Sequence, residues 1–374
     1  MPTEEPGPLK RTPLHDVHTF LGARMAEFGG WEMPIQYRAG ILSEHRSVRS
    51  AAGIFDVSHM GRLIVSGDGA EAFLQRTFTN DVAALRENQA QYSLLLADDG
   101  GTLDDVLVYR LPGRFLVVVN ASNRSGDLAW LRAGLPPGVD LRDDTEETGM
   151  LAVQGPRALE VVGRLTGVPL RTVHYYHSAE GIVGGAPCTI SRTGYTGEDG
   201  IELICPAHQA VALWNELEQA GDDLGLRPAG LGARDTLRTE AGMALYGHEL
   251  TRDRTPFEAA LHRYVSMEKG AFRGRAALLR QGPTPPETLV GLIVEGRAPA
   301  RAGTVLVSGD ARVGVVTSGT FSPTLEQSVA MAFVAREHSA DGIALAADIR
   351  GTKHPARVVP LPFYRRRRRA AAKG

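Results

Sequence analysis

The chain has 374 residues, of which 43% are apolar and 22% charged, and 41 basic side chains nearly balance 43 acidic ones. This length and composition indicate a globular protein of two or three domains. The balance of charges disfavours nucleic-acid binding. No apolar run reaches the roughly 20 residues that a membrane span needs. Only two cysteines occur and the first ten residues lack a targeting pattern, so we expect a soluble, cytoplasmic protein without a disulfide framework.

The first part of the chain alternates irregularly between helix and strand patterns, which is typical of an α+β fold. In TPLHDVHTFLGARMAEFGG (12–30) an apolar residue recurs every three or four positions, which predicts one helix ending at the glycine pair. GAEAFLQRTF (69–78) predicts a helix with Asp68 as its N-cap. QYSLLLADDGGTLDDVLVYRL (91–111) predicts a β-hairpin, followed by the strand RFLVVVN and the helix SNRSGDLAWLRAG.

A second cycle of similar elements begins near residue 150 and hints at a duplicated α+β unit. GMLAVQGP predicts a strand, RALEVVGRL a helix, and PCTISRTGYTG and DGIELICP two strands joined by a glycine-rich turn. QAVALWNELEQAG and LGARDTLRTEAGMAL predict amphipathic helices. After the proline-rich linker RQGPTPPETL come short β-rich runs spaced by roughly ten residues, which predict a small closed β domain.

Two adjacent acids stand on the second strand of the predicted hairpin. Strand alternation places Asp105 on a face with four apolar or aromatic side chains, so its carboxyl is expected to be desolvated or held by specific donors. Both conditions are typical of a working acid–base group. The alternative is a turn-proximal acid that reaches water. Asp104 shares its face with Arg110, which predicts a solvated or paired surface charge.

The segment SRTGYTGEDGIEL carries a second set of candidates. Gly194, Gly197 and Gly200 allow sharp bends and a close approach of the backbone to a ligand. Tyr195 is suited to stacking on a flat ring. Glu202 lies between apolar neighbours, where a carboxylate can bind the N–C–N edge of a pterin or guanine. A plain hairpin turn with an outward-facing glutamate is the alternative.

An arginine at the start of a predicted helix is the third candidate. Arg234 falls in the first turn, and Arg238 follows one turn later on the same face. A cation at a helix N-terminus opposes the macrodipole, so helix stability does not explain Arg234. Binding of a carboxylate or polar ligand explains it better.

Taken together, these stretches resemble the T-protein (aminomethyltransferase) family of the glycine cleavage system, from about residue 11 to 365. The likeness is carried by GIFDVSHMG, TNDV, GGTLDDVLVY, VVNASN, SRTGYTGEDGIEL, RPAGLGARDTLRTEAGM, YGHEL, TSGTFSPTL and PFYR. It implies a three-domain cloverleaf, with two interleaved α+β folate-binding domains over 8–280 and a C-terminal β-barrel-like domain over 286–364. A basic tail, 365–374, follows.

The resemblance also implies the chemistry. Tetrahydrofolate is the expected co-substrate, with no metal, and the lipoyl-bearing H-protein and other glycine cleavage components are the expected partners. The enzyme would take the aminomethyl group from H-protein and give 5,10-methylene-tetrahydrofolate, ammonia and dihydrolipoyl H-protein. Asp105 takes the position of the catalytic acid. The implied folate- or substrate-binding residues are Glu202, Arg234, Tyr195, Tyr92, Met60, Asn120, Tyr176 and Tyr364.

Three alternatives accompany this interpretation. A folate-dependent demethylase of a small methylated donor would use the same pocket, although the chain carries no fused flavin domain. A folate-binding module that assists iron–sulfur assembly would need a cysteine motif, and SMEKGAFRGRAAL has no cysteine. A dinucleotide-dependent dehydrogenase is the third, based on GDGAEA (67–72), but Asp68 would oppose the pyrophosphate there.

Overall fold

The computed structural model describes residues 7–366, and that part of the chain holds eight α-helices and nineteen strands. The first elements are α1 (His15–Phe20), β1 (Arg24–Phe28), β2 (Trp31–Gln36), α2 (Ile41–Ser50), β3 (Ala52–Asp56), β4 (Gly61–Ser66), α3 (Ala70–Thr77), β5 (Gln89–Leu96), β6 (Thr102–Leu111), β7 (Arg114–Val119), α4 (Arg124–Ala133) and β8 (Asp140–Asp143). Next come β9 (Thr148–Gln154), α5 (Ala158–Gly163), β10 (Ser178–Val183), β11 (Ala186–Ser191), β12 (Gly200–Pro206), α6 (Ala210–Gly221), β13 (Leu226–Pro228), α7 (Leu231–Glu240) and α8 (Arg275–Gln281). The last are β14 (Glu287–Val294), β15 (Val305–Ser308), β16 (Ala311–Ser322), β17 (Gln327–Ala335), β18 (Ala344–Ile349) and β19 (Thr352–Val359).

Two sheets form the larger part of the fold. The first has the order β5-β6-β7-β4-β8, and the second has the order β10-β11-β12-β9-β3-β13. β3 precedes the first sheet in the chain but pairs with β9 and β13 of the second. The two α+β units are therefore interleaved along the sequence.

An apolar layer between the sheets holds them face to face. Phe55 and Met150 of the second sheet pack there with Tyr109 and Val118 of the first. On the opposite face of the first sheet, the alternate residues of β6 and β7 pack on α3 and α4. The second sheet is covered in the same way by α1, α5 and α6. Helices therefore cover the outer faces of the two sheets, and apolar residues fill the space between them.

The C-terminal strands close into a barrel of the order β14-β17-β16-β15-β18-β19, because β14 also pairs with β19. Closure leaves no sheet edge unpaired. Sequence patterns predicted a closed β domain but missed β18, whose alanine-rich sequence ALAADI carries a weak strand signal. The α+β cloverleaf with a barrel domain is confirmed.

Two local predictions near the N-terminus were wrong. The helix predicted over 12–30 ends at Phe20, and Arg24–Phe28 instead pairs with β2 as a hairpin. Gly22 takes a positive φ of 71° and turns the chain between them, so the helical spacing of Met25 is coincidental. Asp68 makes no capping hydrogen bond, because Gly69 occupies the cap position of α3.

None of the helices within residues 7–366 is both long enough and apolar enough to cross a membrane. The predicted basic tail lies mostly outside the described residues, because its positions 367–374 are not among them. The same holds for residues 1–6, the start of the stretch in which the sequence shows no targeting pattern.

Candidate active site

A cavity of about 1170 Å³ opens where the two sheets, the segment after α7 and the barrel meet. Eight of the nine predicted site residues line it, and they come from strands of both sheets, from α7 and from the segments that connect such elements. These residues are Met60, Tyr92, Asp105, Asn120, Tyr176, Tyr195, Glu202 and Arg234. The sequence motifs that are far apart in the chain therefore meet around one space.

Asp105 faces the cavity from β6, a strand in the interior of the first sheet. Tyr92 donates a hydrogen bond of 3.0 Å to Oδ2, and the Asn120 side-chain amide donates one of 2.8 Å to Oδ1. Burial and the charge of neighbouring Asp104 raise the pKa of Asp105 to about 7, against the hydrogen bonds, which lower it. This carboxyl can therefore hold or release a proton near neutral pH.

Asp104 is fully buried, and the prediction of a surface charge was wrong. Its carboxyl accepts hydrogen bonds from the Asn120 backbone N–H at 2.9 Å, the Asn120 side chain at 2.8 Å and the Asn123 side chain at 2.6 Å. Arg110 pairs with Glu71 instead, at 2.6 Å. The error arose because α4 covers this end of the face, which strand alternation alone cannot indicate.

Glu202 faces the cavity from β12, between β11 and β9. Only 5% of the residue is exposed, and Thr193 donates a short hydrogen bond to its Oε2. Burial raises the pKa of Glu202, while the Thr193 hydrogen bond and the charge of Arg234 oppose the rise. Oε1 accepts no hydrogen bond from any described residue, so the carboxylate can still bind a ligand donor.

Arg234 and Tyr195 form the wall beside Glu202. The guanidinium of Arg234 lies 4.7 Å from the centre of the Tyr195 ring, in a cation–π contact. The Tyr195 hydroxyl donates to the backbone carbonyl of Ala244, which fixes the ring. Burial lowers the pKa of Arg234, but a guanidinium is so strongly basic that the group keeps its charge near neutral pH.

The side chain of Gln154 explains why two positions before Glu202 are glycines. A Cβ atom on Gly194 or Gly200 would lie 2.0 or 2.3 Å from the Gln154 side-chain amide. Gln154 accepts a hydrogen bond of 2.9 Å from Thr196 and donates one of 3.2 Å to the carbonyl of Thr193. These glycines thus admit a protein side chain rather than a ligand, and the resulting packing places Thr193 beside Glu202.

Several tyrosines complete the cavity wall. Tyr176 has a φ of 60°, which is rare for a bulky residue, and its ring lies 4.8 Å from that of Tyr175. Its backbone also joins the two units, since its carbonyl accepts from Ala90 N–H of β5 at 2.8 Å. The Tyr92 and Tyr264 rings are 4.5 Å apart. Sequence reasoning missed Tyr175 and Tyr264, although Tyr175 adjoins a predicted residue.

His59 is another cavity residue that sequence reasoning missed, although it lies beside Met60 in the DVSHMG motif. It is buried, and its Nδ1 has no hydrogen-bond partner among the described residues. Burial and the nearby charge of Arg234 lower the pKa of His59 to about 3. The imidazole is therefore neutral at physiological pH.

Tyr364 is the one predicted site residue that does not line the cavity. Its hydroxyl donates to Glu198 at 2.7 Å, and the Arg49 guanidinium lies 3.9 Å from the centre of its ring. The neighbouring Leu361, Pro362 and Arg365 do line the cavity. Tyr364 thus anchors the segment whose other residues form part of the wall.

Comparison with known proteins places this geometry in a family. The GCVT N-terminal domain model matches residues 14–269, and the glycine cleavage T-protein C-terminal barrel domain model matches residues 288–365. The aminomethyltransferase of Geobacillus kaustophilus is 48% identical over 362 residues, covering 96% of this chain and 99% of the relative. That of Rubrobacter xylanophilus is 48% identical over 365 residues, covering 97% and 96%. A crystal structure of glycine cleavage system aminomethyltransferase T from Bartonella henselae superposes with a TM-score of 0.89 at 38% identity, covering 95% of this chain and 98% of that one. The chain therefore belongs to the glycine cleavage T-protein family of aminomethyltransferases.

Proposed function

We propose that the cavity binds tetrahydrofolate and that the enzyme takes the aminomethyl group from the lipoyl arm of H-protein. The products are 5,10-methylene-tetrahydrofolate, ammonia and dihydrolipoyl H-protein. The observation that carries the proposal is the meeting of Asp105 and Glu202, two buried carboxyls from different sheets, at one cavity. A cytoplasmic location, with other glycine cleavage components as partners, is part of the proposal.

The residues of the cavity fit a reduced folate. Glu202 offers a carboxylate to the N–C–N donors of a pterin edge, and Thr193 already orients it. Tyr176 and Tyr195 offer apolar ring surface to a flat heterocycle. Arg234 supplies a positive charge that, with the Thr193 hydrogen bond, opposes the rise in the pKa of Glu202 caused by burial. We therefore assign Glu202, Arg234, Tyr195 and Tyr176 to holding the pterin.

Asp105 handles the proton and charge at the reacting carbon. A bound reduced folate supplies the nitrogen that accepts the one-carbon unit. In its acid form Asp105 donates a proton to the leaving amine, and as a carboxylate it stabilises the positive charge that develops on the aminomethyl carbon. Tyr92 and Asn120 hold both of its oxygens in place for these steps. Because its pKa is about 7, both forms are populated at neutral pH.

A donor comparison tests the function. The enzyme is incubated with tetrahydrofolate and either aminomethyl-loaded H-protein, sarcosine or dimethylglycine, and ammonia and methylene-folate are measured. The proposal expects both products with H-protein only. Folate product from a small methylated donor, with none from H-protein, would instead identify a demethylase.

A further inference from the structure

Near Asp105 lie two buried acids that the proposed chemistry does not use, Asp104 and Asp127. Asp127 is in the first turn of α4, and only 3% of the residue is exposed. Its carboxyl is in hydrogen-bond contact with that of Asp104, which is fully buried. The Oδ2 atom of Asp127 is buried and has no partner among the described residues.

Two buried carboxyls in contact cannot both be ionised without a compensating cation, so the pair holds one proton. The donors around Asp104 are amide groups from Asn120 and Asn123, with no cation among them. Burial raises the pKa of Asp104, but these amides and the hydrogen bond from Asp127 oppose the rise and stabilise the anion, whereas the described residues offer the Asp127 carboxyl no such amide donors. Burial and the charge of Asp104 raise the pKa of Asp127 to about 10. The proton therefore resides on Asp127, which donates it to Asp104.

We propose that Asp127 is a positioning residue, which retains one proton, donates a hydrogen bond to Asp104 and so keeps Asp104 ionised directly behind Asp105. The charge of Asp104 then keeps the Asp105 carboxyl protonated up to neutral pH. Asn120 joins the two acids, because its side-chain amide donates to Oδ1 of Asp104 and to Oδ1 of Asp105, both at 2.8 Å. The inference deepens the proposed function by naming what sets the proton affinity of its catalytic acid.

Other titratable groups around Asp105 do not replace this charge. Tyr92 faces it from β5, Tyr195 from the loop before β12 and Tyr246 from the segment after α7. Burial raises the pKa of all three phenols, so they are neutral at physiological pH. Arg252, near Tyr246, is exposed and paired with Asp99 at 2.7 Å. Among the described residues, Asp104 is thus the charge that raises the proton affinity of Asp105.

The test is a carboxyl titration that needs no substrate. The enzyme is labelled with aspartate carrying ¹³C in the side-chain carboxyl, and the Asp105 signal is identified by its loss in Asp105→Asn. The pH midpoint at which the Asp105 carboxyl titrates is then measured in the wild type and in two variants. Asp127→Asn keeps a neutral donor and should leave the midpoint unchanged. Asp127→Leu removes the donor, so Asp104 takes up a proton and the Asp105 midpoint should fall by about one pH unit.

An unchanged midpoint in Asp127→Leu, or an equal fall in Asp127→Asn, would overturn the inference. If Asp127→Leu does not fold, the carboxyl signal of Asp127 in the wild type, assigned with Asp127→Asn, decides: it should stay in the acid form at neutral pH, and an ionised Asp127 there would overturn the inference. Turnover with H-protein and folate is then followed against pH in the wild type and in Asp127→Leu, and the alkaline limb of the variant's profile should move to lower pH by the same amount as the Asp105 midpoint. Absence of turnover in the wild type would refute the proposed function and leave the titration result intact.

Discussion

The two buried carboxyls of the cavity, Asp105 and Glu202, come from equivalent settings and differ in the charge beside them. Each lies on a strand inside a sheet, and burial raises the pKa of both. Asp104 adds a negative charge behind Asp105, whereas Arg234 places a positive charge near Glu202. The first carboxyl is thereby suited to exchanging a proton, whereas the positive charge beside the second favours its anionic form, which can hold a ligand.

The largest expected effect is a loss of turnover when Asp105, but not a surface acid, is replaced. Asp105→Asn should lower kcat by about 10²–10⁴-fold, the usual contribution of an acid–base group, and change tetrahydrofolate affinity by less than about twofold. Steady-state kinetics and calorimetry measure both quantities. Asp98→Asn, an exposed acid in the turn before β6, is the matched control and should behave as wild type. Unchanged kcat in Asp105→Asn would contradict the assignment.

The second prediction concerns binding. Glu202→Gln should weaken tetrahydrofolate binding by about 10–100-fold, because it replaces a charged hydrogen-bond acceptor by a neutral one. Glu180→Gln, an exposed glutamate of β10 paired with Arg114, is the control from the same sheet. Calorimetric titration measures the affinity of each variant. Affinity retained in Glu202→Gln would remove this residue from the pterin site.

The third prediction concerns the stability of the ligand-free enzyme against pH. A carboxyl with a raised folded-state pKa contributes stability that is fully present below its unfolded pKa, about 4, and is lost as pH rises through about 7. Asp105→Asn avoids this loss, so at about pH 8 it should be more stable than wild type, by about 4 kcal/mol. The difference should vanish near pH 4. Denaturant unfolding at both pH values measures it, and a less stable variant at pH 8 would be inconsistent with the raised pKa.

The smallest expected effect concerns Tyr364. Tyr364→Phe removes the hydrogen bond to Glu198 but keeps the ring against Arg49, so stability should fall by about 1 kcal/mol or less. Folate affinity should stay within about twofold of wild type. Unfolding and calorimetry test both expectations. A tenfold loss of affinity would mean that Tyr364 contacts the ligand in the complex.

Local patterns predicted the hairpin, the barrel and the position of Asp105, because they depend on strand alternation and turn residues. They failed where the outcome depends on distant parts of the chain. The helix ending at Phe20 gives way to a strand because Arg24–Phe28 pairs with β2. Asp104 is buried because α4 covers it. Asp127 belongs to α4, and the packing of this helix on the sheet brings it next to Asp104. Whether Tyr364 reaches the cavity likewise depends on its contacts with Arg49 and Glu198.

The most direct measurement for the central claim is a crystal structure of the enzyme with tetrahydrofolate. We predict that the N–C–N edge of the pterin lies within hydrogen-bonding distance of Glu202, while the Asp105 carboxyl faces the folate nitrogens that receive the one-carbon unit. Folate bound outside this cavity, or an Asp105 side chain turned away from it, would contradict the account.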